Sequence, residues 1–176
     1  MILPVYRYFK DKKSLFLAVY EQGINELRQK FTTSVLPVTD PSSKIAAAVR
    51  TYFEFFENNR ELIEIQAQLR SEFRDDYRRM FLELYHDYVA KIQENLCNGI
   101  RAGLFRQMDV EKTANAISAS LQGILESFYM REFGTETTAA DSERGTAIDS
   151  RPLTGRVEAV TTLLLEGLLK RDGEKD

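Results

Sequence analysis

Apolar residues recur at intervals of three and four along most of the chain, the spacing that lines one face of an α-helix. Asp11 is placed to cap a first helix running to about Thr33, with Leu15, Phe16, Val19, Ile24, Leu27 and Phe31 on its apolar side. The Pro37–Pro41 region breaks that pattern, and Pro41-Ser42 opens a second helix carrying Ile45, Val49, Tyr52, Phe53 and Phe56. Asn58-Asn59 marks a turn before a short helix from Glu61 to about Ser71. The longest element is predicted from about Asp75 to Ala102, where Tyr77, Phe81, Leu84, Tyr88, Ile92 and Leu96 make a broad apolar face. Asp109 caps the next helix, about Val110 to Phe133.

Residues 134–152 lose the periodicity and are rich in Thr, Ala, Ser, Asp and Gly, which predicts a mobile loop. A last helix follows from about Leu153 to Lys170. The sum is an all-α fold. Two of its helices carry a pattern suited to a subunit interface. Ala116, Ser120, Gly123 and Ser127 form an all-small stripe, and a mid-helix glycine costs stability unless another backbone comes close. On the last helix Val160, Leu164 and Leu168 share one face, with further leucines beside it. Together they predict a symmetric four-helix contact in a homodimer.

Composition narrows the class. Only 4 prolines and no tryptophan occur in 176 residues, consistent with long helices. No run of about 18 apolar residues is present, so no membrane partner is expected, and the first residues lack the basic and apolar regions of a signal peptide. The lone Cys97 has no partner for an internal disulfide, which suits a reducing, cytoplasmic setting. The formal charge of −3 is uneven: Arg7, Lys10, Lys12 and Lys13 oppose only Asp11 near the N-terminus, a local +3 that leaves −6 for the rest. A basic tip on an acidic body is compatible with a phosphate backbone as partner.

The segment Tyr6-Arg-Tyr8-Phe9-Lys-Asp-Lys12-Lys-Ser-Leu15-Phe16 resembles the junction between recognition helix and connecting helix in TetR/AcrR-family transcriptional regulators. The family pattern Tyr-x-(His/Tyr)-Phe-x-x-Lys-x-x-Leu falls on Tyr6, Tyr8, Phe9, Lys12 and Leu15. The resemblance implies a TetR-like ligand-binding and dimerisation domain over residues 17–171. It also implies that residues 1–16 are the remnant of a helix-turn-helix and the start of the connecting helix. Leu3 and Pro4 stand where the family has Gly and Thr, and two further helices would be needed to hold a recognition helix in the major groove. The expectation is therefore a regulator with most of its reading head missing, unable as printed to bind DNA specifically.

In the intact regulator the resemblance implies operator DNA as partner, with Tyr6, Tyr8 and Lys12 as DNA contacts. Phe9 and Leu15 would couple head to body. The function implied is a repressor that releases its operator on binding a hydrophobic or aromatic small molecule. The alternative is a headless helical dimer that senses a ligand or pairs with regulators without touching DNA.

The middle helices are dense in aromatics, most of which fill the core. Several tyrosines nevertheless require a polar partner or an exposed rim, as an apolar cavity with a few polar groups would provide. Phe56, Gln66, Arg70, Tyr77, Phe81, Tyr85, His86, Gln122 and Tyr129 are the candidate ligand residues. Enzyme chemistry finds little support. Glu83-Leu-Tyr-His86 has a di-iron spacing, but such sites need two of these motifs and the chain has 1 histidine. No Walker or dinucleotide loop and no nucleophile elbow occurs. Neither a metal nor a cofactor is expected.

Overall fold

The computed structural model describes residues 9–132 and 152–170. Tyr6, Tyr8 and nearly all of the predicted loop, residues 134–151, lie outside the described residues. Within them the fold is helical, with α1 (Lys12–Ser34), α2 (Pro41–Asn58), α3 (Arg60–Glu72), α4 (Arg74–Arg101) and α5 (Val110–Glu132) in succession. A short 3-10 turn (Leu153–Arg156) then leads into α6 (Val157–Leu168).

Local chemistry sets the boundaries. The Asp11 carboxylate accepts from the Ser14 backbone N–H at 2.8 Å, and Asp40 accepts from that of Ser43 at 2.7 Å, with Pro41 occupying the first turn where its missing N–H costs nothing. Asp109 does the same for Lys112 at 3.1 Å. The end of α4 is sharper than its sequence suggests. Gly103 adopts φ 71°, a left-handed conformation, and the N–H groups of Leu104 and Phe105 both return to the Gly99 carbonyl. That turn folds the Phe105 ring against Gly99, into the space a Cβ would fill. The strand-like pair Phe105 and Leu169 then clips the end of α6, with Arg106 N–H on the Leu168 carbonyl at 2.9 Å.

The main core runs through Phe53, Phe55, Leu96, Phe105 and Leu153, all at 2 % exposure or less, with α2 at its centre against α1, α4, α5 and α6. A second cluster of Tyr20, Leu69 and Tyr77 lies where α1, α3 and α4 meet, with Phe16 and Leu17 packed onto it.

The expected helix-turn-helix remnant is not what the chain contains. The first described helix is a continuous 23-residue element, over the span that the Asp11 cap and the apolar spacing predict. It packs against both α2 and α3, so α1–α3 form an intact, well-packed N-terminal three-helix region. Two ion pairs hold its start in place: Lys12 to Glu72 at 3.1 Å and Lys13 to Asp76 at 3.0 Å. Phe16 packs on the second cluster, where α3 and the start of α4 supply its neighbours.

Candidate functional site

An apolar cavity of about 130 Å³ opens among α1, α2, α4 and α5, and α3 closes one side. α1 contributes Tyr20, Ile24, Leu27, Arg28 and Phe31; α2 contributes Tyr52 and Phe56. Gln66 comes from α3, and Phe81, Leu84, Tyr85, Asp87, Tyr88 and Lys91 from α4. Ser118, Leu121 and Gln122 of α5 complete the wall. A second cavity, about 300 Å³, shares Phe31, Tyr88, Lys91 and Leu121 with the first and extends between α2 and α4 past Ile45, Val49 and Leu96 to Leu164.

The aromatic wall has internal order. Tyr77, Phe81 and Tyr85 succeed one another along α4 at one-turn spacing, with ring centroids 5.8 Å and 5.3 Å apart. Tyr85 donates its hydroxyl to Asn115 of α5 at 2.8 Å, and the Gln66 amide donates to the Tyr77 oxygen at 2.9 Å. The Tyr20 ring meets that of Tyr77 edge-on, with the centroids 6.2 Å apart. Burial pushes the Tyr20, Tyr52 and Tyr88 hydroxyls far above the ordinary phenol range, so they stay protonated. For Tyr77 burial also raises the value, while the hydrogen bond from Gln66 pulls the other way.

Some polar groups in the wall are satisfied by protein and others are not. Arg28 pairs with Asp87 at 3.4 Å. Ser118 of α5 is 2 % exposed and lines the cavity without a hydrogen bond to another side chain among the described residues. Gln122, one turn further along α5, and the Tyr52 and Tyr88 hydroxyls are likewise without partners there. Lys91 is exposed and makes no ion pair among the described residues.

Of the residues singled out from sequence, Phe56, Gln66, Phe81, Tyr85 and Gln122 line the cavity. Tyr77 stands behind it as the partner of Gln66. Arg70 is exposed and paired with Glu126, and His86 is exposed on the outer side of α4. Tyr129 is half-buried against the main core. Sequence reasoning missed Tyr20, Arg28, Tyr52, Tyr88, Lys91 and Ser118. For Ser118 a signal existed: it lies four residues before Gln122, and two polar positions on one inward helix face call for a polar counterpart.

The other expected residues are placed as follows. Lys12 lies 5.1 Å over the Phe16 ring and donates to both Glu72 oxygens. Phe9 and Leu15 are half-buried, and it is Phe16 and Leu17 that pack on the second cluster. Ala116, Ser120, Gly123 and Ser127 are all exposed, and nothing lies within 4 Å of where a Gly123 Cβ would be. On α6, Leu168 is buried at 4 % and Val160 and Leu164 pack on the main core, because that stripe is the face α6 needs for α2. The side left outward carries Leu163, at 71 % exposure. Among the described residues no group of three or more His, Cys, Asp and Glu side chains could hold a metal, and no helix is long and apolar enough to cross a membrane.

Known proteins share this architecture. The chain is 26% identical over 131 residues to an uncharacterized HTH-type transcriptional regulator, YdgC, of Bacillus subtilis, covering 71% of this chain and 63% of that protein. The chain thus spans less than two thirds of the length of that relative. The crystal structure of the TetR family regulator PfmR from Thermus thermophilus superposes with a TM-score of 0.70 at 18% identity, covering 95% of this chain and 81% of the other. A tetR-family bacterial regulatory protein from Rhodococcus gives 0.71 at 18% identity, over 98% and 82%. Such coverage takes in α1–α3 as full helices of the shared fold, where a truncated stub had been expected. Residues 38–126, just over half of the 176, match the tetracyclin repressor-like, C-terminal domain family. Because that match covers more than half of the chain, the chain belongs to the tetracyclin repressor-like, C-terminal domain family.

Proposed function

We propose that this protein is a ligand-responsive transcriptional regulator whose effector occupies the cavity between α1, α2, α4 and α5. One observation supports this above the others: an apolar chamber lined by buried tyrosines keeps polar groups without protein partners, and α1 forms one of its walls. Residues 17–171 act as the sensing and dimerising body. Phe56, Gln66, Phe81, Tyr85 and Gln122 contact the effector, and Tyr77 orients Gln66.

The mechanism is a population shift. A ligand wedged against Tyr20, Ile24 and Phe31 displaces α1 relative to α4, and the N-terminal end of the same rigid helix carries Lys12 and Lys13. Movement at the cavity is thereby converted into movement near the segment that resembles a DNA junction, where Tyr6, Tyr8 and Lys12 contact phosphate in the operator-bound state. The expected sign is repression relieved by ligand.

A reporter fused to the promoter of the protein's own gene tests this. Deleting the gene should raise reporter output, and supplying the protein with substitutions that close the cavity, such as Ser118→Phe, should leave repression in place while abolishing induction. Reporter output indifferent to the gene's presence would sink the regulator reading. A second reading, a ligand-sensing dimer that does not itself touch DNA, is favoured by the engagement of Lys12 with Glu72. Salt-dependent binding to a promoter duplex separates the two.

A further inference from the structure

Among the open hydrogen-bonding groups in the cavity lining, the Lys91 ammonium can only donate, while the hydroxyls and the amide beside it can donate or accept. Asp87, the one acid of the first cavity, is occupied by Arg28. The Gln66 amide is already donating to Tyr77. What remains without a side-chain partner among the described residues is the Ser118 hydroxyl, the Gln122 amide, the Tyr52 and Tyr88 hydroxyls and the Lys91 ammonium. Ser118, Gln122 and Lys91 all line the first cavity, which places two neutral polar groups and an ammonium where the head group of one ligand can meet them.

Charge points the same way. Over the two cavities Arg28, Lys44 and Lys91 oppose Asp87 and Glu94, one net positive charge in the lining of a molecule whose formal charge is −3. Lys91 sits on the rim the two cavities share, and the second cavity runs on from there between largely apolar walls.

We propose that the effector is an anionic amphiphile. Its acceptor-rich head group lies against Ser118, Gln122 and Lys91, and its apolar tail passes Tyr88 and Leu121 into the second cavity. This rests on the reading of the cavity as the effector site. The head is a carboxylate or a phosphate monoester, since both present charged acceptors to neutral and cationic donors.

Calorimetric titration of the full chain with decanoate, decyl phosphate and decanol, each kept below its micelle concentration, tests it. Both anions should bind about tenfold or more tightly than decanol, and the tighter of the two names the head group. Lys91→Met and Ser118→Ala should each remove most of that preference by weakening the anions more than decanol. Decanol binding as tightly as the anions, or anion binding indifferent to both substitutions, overturns the anionic head and leaves the cavity reading standing. Failure of all three probes to bind overturns the cavity reading and the proposal together.

Discussion

Single residues decide more here than their volume suggests, and the glycines show it. At Gly99 an added methyl meets the ring of Phe105, which is 2 % exposed and whose turn is held by hydrogen bonds from the Leu104 and Phe105 N–H groups to the Gly99 carbonyl. The ring has nowhere to retreat without breaking its pairing with Leu169, so Gly99→Ala should destabilise by about 1–3 kcal/mol as an overpacked core does. At Gly123 the same change meets no atom of its own protomer, so in a protomer held monomeric by Leu163→Glu it gains helix propensity of about 1 kcal/mol. Thermal unfolding should place the two variants on opposite sides of their parent proteins, and a shared direction would mean that the close approach at Gly99 is not what fixes Phe105. From sequence both read only as glycines within or ending helices, because close approach depends on a turn made several residues later.

Acid sensitivity also sits at this scale. Side-chain and backbone hydrogen bonds from Ser14, Ser43 and Lys112 lower the pKa of Asp11, Asp40 and Asp109 respectively. A folded-state pKa below the unfolded one stabilises at pH above the ordinary aspartate value, and that stabilisation is lost as pH falls through the depressed folded value. Asp40→Asn keeps an acceptor at the cap but cannot titrate. It should therefore leave neutral-pH stability nearly intact and flatten the acid limb of stability against pH. An acid limb identical to wild type in denaturant titrations at several pH values would rule out the cap as a contributor.

At the scale of elements, the sequence was most readable where a helix had one apolar stripe and a clear cap. The starts of α1, α2 and α5 follow Asp11, Asp40 and Asp109, and α1 and α2 end at Ser34 and Asn58, close to Pro37 and the Asn58-Asn59 turn. What periodicity could not say is which neighbour a stripe faces. α6 shows this: Val157, Val160, Leu164 and Leu168 look like an interface, yet they are the face that α2 requires. Likewise α1 read as a connector between two parts, when its middle turns form a wall of the cavity and its first turn is strapped to α3 and α4. If α1 transmits ligand binding, the Lys12–Glu72 pair is part of the resting arrangement. Both groups are about half exposed, so the pair contributes little to stability. Glu72→Gln should leave melting almost unchanged and shift the ligand concentration that gives half-maximal induction. An unmoved induction curve would show that the strap has no part in switching.

Over the whole molecule, the outward faces are what remain to be explained. α5 presents Ala116, Ser120, Gly123 and Ser127 to the outside, with no protein atom near Gly123 to account for a residue that weakens the helix. α6 presents Leu163, at 71 % exposure, and Met130 near the end of α5 is 68 % exposed. Small residues on one helix and exposed apolar ones on the other suit close packing against a second copy through a two-fold axis. On this reading the interface is built from the side of α6 opposite to Val160, Leu164 and Leu168. The two candidate faces can be separated by substitution. Gly123→Arg and Leu163→Glu introduce charge where the protomer leaves space, so each should leave the protomer folded by circular dichroism and convert a dimer to monomer in sedimentation or light scattering. Leu168→Glu should instead unfold the protomer, because that side chain is 4 % exposed within the core. A dimer that survives both Gly123→Arg and Leu163→Glu would place the two-fold contact elsewhere on the surface, and the glycine would then need another explanation.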